Sequence, residues 1–549
     1  MKIMLVYLCD HEDRNDYYIS LLPVGLFSIA SFLESKGHDI VLANYSHVGS
    51  TKAHDEILKF KPDILGISVF THNKNESNKL IKLFEGRKKF HLTIGGVHAS
   101  FLAEQYLKRF PSVDSIIKGE GENAFLDLID DLKAGKKEKK IYECRRLEDL
   151  SEVKLSSKFS GISIGINPNE QFKYIITSRG CPNSCTYCSS PAYWTRKVTY
   201  SSVDDIIAEI KFLQNRYGII YFGIRDDNFT LKKTRVMEFC DKLIKNKIYI
   251  MWNCQSRVDT IDFEMLTAMK LSGLEHIQFG VESGSEKILS LYDKKITPQK
   301  IISASEMVRR AGVYLSVYLM CGVFDETKAD VRKTKELIGK ILPGDVLVSP
   351  VAYYPGTALY NQAVKKGLIS DSEWFKKTRG IYLRNDDESN DMIDDILNCA
   401  SIIREKAWYR DKDFDFHRKN IGADSWVTEI LHGDFKLDCD KMSQARSFYA
   451  KAAKIAPLNP WPYLRNGKAF FFEGDFESAL KSYIQVTDLV PNYYGGWLKS
   501  AESAIASGRL ELAEECVKKA KELNSYDQRI DGVLSTLNKN IKNRYSCKN

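Results

Sequence analysis

The sequence predicts an α/β fold class in three parts: a Rossmann-like (flavodoxin-like) domain, a partial (β/α)6 barrel and an all-α repeat tail. Three observations carry this. Apolar runs alternate with amphipathic stretches over residues 1–138, six more strand–helix units follow over residues 171–370, and positions recur every 34 residues beyond residue 438. Strands alternating with helices at this spacing imply right-handed crossovers and a parallel sheet.

Composition sets the outer bounds. The 549 residues suffice for several domains, and 44% hydrophobic with 28% charged residues is ordinary for a globular protein. The net charge of +8, from 80 Lys and Arg against 72 Asp and Glu, is too small to indicate a nucleic-acid partner. No apolar run reaches membrane-spanning length, and Met1 to Tyr7, followed by Asp10, Glu12 and Asp13, reads as a first strand and not a signal peptide. A cytoplasmic protein with no membrane span is expected. Of the 12 cysteines, nine are isolated: Cys9, Cys144, Cys240, Cys254, Cys321, Cys399, Cys439, Cys516 and Cys547. That excludes a secreted disulfide framework and a second cysteine-bound cluster.

In residues 1–138 the strand candidates are Ile3–Leu8, Ile40–Ala43, Ile64–Ser68, Leu92–Ile94 and Asp114–Ile117, with helices such as Leu26–Glu34 and Ser77–Phe84 between them. Ligands of such sheets lie outside the carboxyl ends of the strands. The loops there carry Pro23-Val24-Gly25-Leu26, Ser68 to Asn73, Gly95-Gly96-Val97-His98 and Gly119-Glu120-Gly121-Glu122. Their glycines let backbone approach a bulky ligand closely. Ser68, Gly95, Gly96, His98 and Gly119 are the candidate contacts. Residues 139–170 are polar and aperiodic, and read as a linker lying over the next domain.

After the apolar run Tyr174-Ile175-Ile176 comes Thr177-Ser178-Arg179-Gly180-Cys181-Pro182-Asn183-Ser184-Cys185-Thr186-Tyr187-Cys188. A strand feeding a tight loop lets Cys181, Cys185 and Cys188 converge on one metal centre. Thiolates suit iron–sulfur clusters, whereas zinc usually takes four ligands and no fourth Cys or His lies close by in sequence. The barrel strands expected downstream are Tyr174–Thr177, Ile219–Ile224, Ile248–Asn253, His276–Val281, Val313–Met320 and Val346–Val351. Barrel chemistry gathers at their carboxyl ends. There stand Arg225-Asp226-Asp227-Asn228, Ser256-Arg257-Val258-Asp259, Val281-Glu282-Ser283-Gly284, Gly322-Val323-Phe324-Asp325-Glu326-Thr327 and Tyr354-Pro355-Gly356-Thr357.

The C-x3-C-x2-C loop and the strand ends after it resemble the radical S-adenosylmethionine (radical SAM) core. The ordered pieces upstream, with Pro62-Asp63-Ile64-Leu65-Gly66-Ile67-Ser68, resemble the cobalamin-binding domain of cobalamin-dependent radical SAM enzymes. The resemblance implies a [4Fe–4S] cluster on the three cysteines, SAM on its fourth iron, and cobalamin. It implies that Asp226 or Asp227 lies by the SAM ammonium group and that Glu282 and Ser283 meet its ribose or methionine part. It places the backbone around Tyr187 near adenine, and Arg257 near the methionine carboxylate or the substrate. Asp226, Asp227, Glu282 and Arg257 are the catalytic candidates. Two departures stand out. The cobalt-ligating D-x-H-x-x-G is absent, so no protein histidine is expected on cobalt, and Gly322 to Thr327 replaces the common G-x-P-G-E-T.

Residues 371–437 are mixed and charged, and the resemblance implies a helical segment capping the barrel mouth. In residues 438–549, Ala445, Ala479 and Ala513 share the 34-residue period, as do Pro457 with Pro491 and Gly474 with Gly508. This resembles a short tetratricopeptide array, which presents a concave face to peptides or protein partners. Such repeats stack only on their neighbours, so a truncation near Asp438 is expected to leave the barrel folded.

The resemblance implies SAM cleavage to a 5′-deoxyadenosyl radical and methylation of an unactivated carbon, one SAM supplying the methyl group and another the radical. A radical cyclisation, rearrangement or oxidation without methyl transfer is the alternative chemistry; a non-catalytic repeat scaffold is the alternative class. The expected partners are a small-molecule, peptide or carrier-bound substrate, a reductant such as flavodoxin or ferredoxin, and a protein bound by the repeats.

Overall fold

The computed structural model describes residues 1–16, 18–86, 88–136, 141–143, 145–153, 159–376, 380–383 and 387–546; Cys144 and Cys547 lie outside them.

Each apolar run expected in the first domain forms a strand: β1 (Lys2–Tyr7), β2 (Asp39–Asn44), β3 (Ile64–Ser68), β4 (His91–Gly95) and β5 (Ser115–Lys118). All five residues of β3 are buried, as a strand covered on both faces requires. The parallel order β2-β1-β3-β4-β5 is flavodoxin-like, with Ile3 paired to both Ile40 and Ile64. The winding reverses between β1 and β3, which opens a crevice at their carboxyl ends.

The stretch read as a linker over the next domain belongs to this sheet instead. β6 (Ile141–Glu143) extends it beyond β5 and β7 (Ile162–Ile164) beyond β2. Between them Leu147, Leu150 and Val153 enter the same apolar core, as does Ile166 beyond β7. The domain therefore runs past residue 138. These edge strands are three residues long, and Ile162 stays 59% exposed, so they carry no alternating apolar signal.

The six expected barrel strands are present. β8 (Tyr174–Ile175) is followed by the antiparallel pair β9 (Ser178–Arg179) and β10 (Thr199–Tyr200), which brackets the cysteine loop. Then come β11 (Tyr221–Ile224), β12 (Met251–Ser256), β13 (Leu274–Glu282), β14 (Tyr314–Cys321) and β15 (Asp345–Pro350). The order β8-β11-β12-β13-β14-β15 is parallel throughout. Phe222, Ile224, Trp252, Cys254, Ile277, Phe279 and Val281 join the core under the outer helices. The residues alternating with them face the lumen.

Two helical assignments change. The helix Asp387–Ala407 does not cap the mouth; Met392, Ile396 and Ile403 pack into the barrel's outer core, beside β15 and the helix Lys328–Ile341. The repeat array begins before residue 438, because helices start at Trp426, Pro460, Tyr494 and Gln528 and, between them, at Met442, Phe476 and Leu510. Both sets keep the 34-residue period. A Cβ on Gly433 or Gly467 would lie 2.3 or 2.7 Å from the ring of Tyr449 or Tyr483, the residue sixteen positions on, so glycine sets this helix spacing.

The array closes the amino-terminal end of the barrel. Ile220 and Met251, at the starts of their strands, share a core with Trp426, Trp461 and Val490. Asn492 Nδ2 donates to the Asn215 carbonyl at 2.5 Å.

Candidate active site

The cysteine loop is anchored from both sides. Asp226, fully buried, accepts from the Thr177 amide (2.5 Å) and hydroxyl (2.6 Å) and from the Ser178 amide (3.0 Å) and hydroxyl (2.7 Å). Its oxygens are filled, which makes it the brace of the strand entering the loop and not a ligand contact. At the far side the Thr186 amide donates to the Tyr292 carbonyl at 2.9 Å. Asp227, the next residue, turns the other way. It accepts from the Gly180 amide at 3.0 Å and the Ser190 hydroxyl at 3.2 Å and keeps an open face to a cavity. Protein around it raises its pKa by desolvation, the Ser190 and Gly180 bonds opposing the shift.

Cys181, Cys185 and Cys188 are unpaired by disulfides. Asn183 Nδ2 lies 3.2 Å from Cys181 Sγ, and Arg257 Nη1 lies 3.6 Å from Cys185 Sγ. Burial pushes the Cys188 thiol up to about 12, with Asp227 and the other two cysteines adding to it. Donors aimed at sulfur are what cluster thiolates use, so this set fits an iron–sulfur group. Among the described residues no three His, Cys, Asp or Glu side chains are grouped around a single ion; a cluster gives each cysteine its own iron and does not need such a grouping. Arg257 is placed here and not at a ligand carboxylate. Its fork closes on Asp259 at 2.8 Å twice and on the Lys294 carbonyl at 2.8 Å.

Glu282 ends β13 at a bulge, with a left-handed φ of 67° that only over-determined surroundings hold in a non-glycine residue. Lys294 Nζ donates to its Oε1 at 2.7 Å and the Tyr187 hydroxyl donates to the same oxygen at 2.8 Å. Burial and Glu282 raise the Tyr187 pKa well above normal. Ser283 packs outward instead, its hydroxyl 3.3 Å from that of Thr334 and accepting from the Ser285 amide. In the altered loop, Asp325 adopts φ 68°, and Glu326 accepts from the Gly322 amide at 2.6 Å.

The glycine loops and the strand that enters the cysteine loop face one cavity of about 340 Å³, within the usual range of ligand pockets. Ser68, Gly95, Gly96 and Gly119 line it from the first domain, as do Gly25, Gly66, Thr93, Phe125, Leu150 and Val153; Ser178, Arg179, Tyr193, Trp194, Arg225 and Asp227 line it from the barrel side. A Cβ on Gly25 would meet nothing within 4 Å, so this wall is left bare, as a flat bulky ligand needs. The chamber also runs between the sheet and the helices Val24–Ser35 and Gly121–Lys133. Among the described residues no histidine lines it. His98 is the misplaced candidate. It is 1% exposed, packs on Trp374 and Tyr106, shares a hydrogen bond with Thr71 Oγ1, and is lowered to about 3 by burial.

Sequence reasoning missed what joins the two halves. Arg179 donates to Glu120 Oε1 at 2.5 Å, Glu122 Oε1 at 3.0 Å and Ser28 Oγ at 2.6 Å. It missed Gly66 too, although a glycine inside a strand is itself a sign of close approach.

A model of the radical SAM superfamily matches residues 175–338, and a model of the B12 binding domain matches residues 17–129. An uncharacterized methyltransferase of Pyrococcus horikoshii is 28% identical over 387 residues, covering 65% of this chain and 81% of that one. An anaerobic magnesium-protoporphyrin IX monomethyl ester cyclase of Rubrivivax gelatinosus is 21% identical, over 74% of this chain and 78% of its own. Among solved structures, the radical SAM methyltransferase TsrM of Kitasatospora setae superposes with a TM-score of 0.58 at 15% identity, covering 67% of this chain and 76% of that one. The cobalamin-dependent radical SAM enzyme OxsB superposes at 0.57 and 17%, covering 95% of this chain and 84% of that one, and both likenesses concern the fold. With the two family models matched in this order, and a glycine-lined cavity walled on its other side by the strand that enters the cysteine loop, the chain belongs to the cobalamin-dependent radical SAM enzymes, whose cofactors are an iron–sulfur cluster, SAM and cobalamin.

Proposed function

We propose that this enzyme methylates a carbon of a substrate held in the barrel. The observation that carries the reading is the single cavity walled by the glycine loops on one side and by Asp227 and Arg179 on the other. Cys181, Cys185 and Cys188 would hold the cluster, which when bound would supply the electron for SAM cleavage, and the glycine-lined cavity would hold cobalamin as the methyl carrier.

The chain's own part is position. Asp226 fixes the loop through Thr177 and Ser178. Asp227 receives the SAM ammonium group, being the acid there with an open face. Glu282 acts through Tyr187 and Lys294, which already share its Oε1. Arg179 sets the spacing of the two domains. The tight approach this permits replaces part of a barrier, about 7–11 kcal/mol in favourable cases.

The test is anaerobic incubation with methyl-deuterated SAM, a reductant and fractionated small-molecule extract. Label in the product, with S-adenosylhomocysteine and 5′-deoxyadenosine in about equal amounts, is expected. Deoxyadenosine with unlabelled product and no S-adenosylhomocysteine rejects methylation in favour of cyclisation or rearrangement.

A further inference from the structure

The barrel lumen holds a positive charge that the site above does not use. Arg225 follows β11, its guanidinium lies 5.0 Å over the Tyr174 ring, and it reaches the wall of the shared cavity. Its Nη1 donates to Asn253 Oδ1 at 3.0 Å and to Gln278 Oε1 at 3.3 Å. Both partners are neutral. The two acids that follow it in sequence are engaged elsewhere: Asp226 by Thr177 and Ser178, and Asp227, on the wall of the same cavity, by the Gly180 amide and the Ser190 hydroxyl. Among the described residues no carboxylate forms an ion pair with Arg225.

The Arg225 guanidinium is half-buried, with only neutral hydrogen-bond partners, so an arriving anion gains a charge-assisted bond in place of neutral ones. Its remaining donors form a planar fork suited to carboxylate or phosphate. The Tyr318 hydroxyl donates to Gln278 Oε1 at 3.4 Å, so the amides that orient Arg225 are themselves held. We infer that Arg225 receives a carboxylate or phosphate of the substrate, which makes the substrate class an organic acid or phosphate ester. The inference rests on the barrel lumen being the substrate site.

SAM also carries a carboxylate, and the experiment separates the two sources. Calorimetry on the full-length, cluster-loaded protein uses inorganic phosphate, acetate and, separately, SAM. Wild type is expected to bind phosphate or acetate; Arg225→Gln weakens this about tenfold or more, Arg225→Lys by less, and neither moves SAM affinity beyond about twofold. Gln278→Glu, which places a counter-ion beside the guanidinium, is expected to abolish anion binding with iron content and SAM affinity kept; it decides the matter if Arg225→Gln does not fold. No anion binding by wild type, anion binding that survives Arg225→Gln or Gln278→Glu, or a parallel loss of SAM binding overturns the inference. These readouts do not depend on methyl transfer, so rejection of methylation leaves them standing.

Discussion

Arg179 and Glu120 meet at 2.5 Å across the two domains, tying the strand that enters the cysteine loop to the glycine loop of the first sheet. Both side chains are nearly or fully buried, and Glu122 and Ser28 complete the cluster. A buried pair of this kind is weak evidence for stability, but removing one partner strands the other's charge, at about 3–5 kcal/mol. Arg179→Ala is expected to lower the urea midpoint by an amount of that order and to weaken cobalamin binding. Arg179→Lys restores little, since a single ammonium nitrogen cannot stand at both places that Nη1 and Nη2 occupy. A variant as stable as wild type refutes the clamp.

The cysteine loop predicts one cluster per chain, about four irons, lost in Cys185→Ala. Arg257 touches Cys185 Sγ and no other cysteine, so Arg257→Gln is expected to keep the iron and shift the cluster potential to more negative values, because a nearby cation is removed. Anaerobic iron and sulfide analysis with redox titration checks both. About eight irons, or an unmoved potential, contradicts them.

The triplet was legible in sequence because its spacing is local, and so were the strands, because two-sided burial writes continuous apolar runs. Asp226 and Asp227 were not separable. Neighbours at a strand end face opposite ways, and only the register with β8 shows which one braces Thr177. His98 was misread because the short helix Val97–Phe101 turns its ring under the sheet, onto Trp374 far along the chain. The barrel floor was hidden for a similar reason, since Ile220 and Met251 look like ordinary strand residues until the repeats are seen against them.

Lys270 is fully buried, donates to the Gly312 carbonyl at 2.6 Å, and is lowered to about 7 by desolvation, Glu275 opposing the shift. Between pH 7 and the usual lysine range the unfolded chain then holds more protons than the native one, so stability rises with pH across that window. Wild type is expected to gain a few kcal/mol relative to Lys270→Met between pH 7 and 10. Parallel stability–pH curves for the two proteins sink this.

The tail packs against the floor of the barrel and is expected not to be a detachable module. A chain ending at Ser425 loses the helices that cover Ile220 and Met251 and breaks the Trp461–Tyr221 ring contact. It is expected to aggregate, or to elute without stoichiometric iron, on size exclusion. A monodisperse, cluster-loaded truncation restores the view that the repeats are independent of the barrel.

The same floor fixes a distance. β13 spans nine residues from the repeat side to the cysteine side, roughly 30 Å of strand. Anything that docked on the array would sit about a barrel's length from the reacting carbon, so a cargo delivered there would need a flexible arm of at least that reach, on the order of ten extended residues. If the repeats bind a partner, they would act on turnover as a tether point, raising local concentration by linker length, and not as part of the pocket that discriminates one carbon from another.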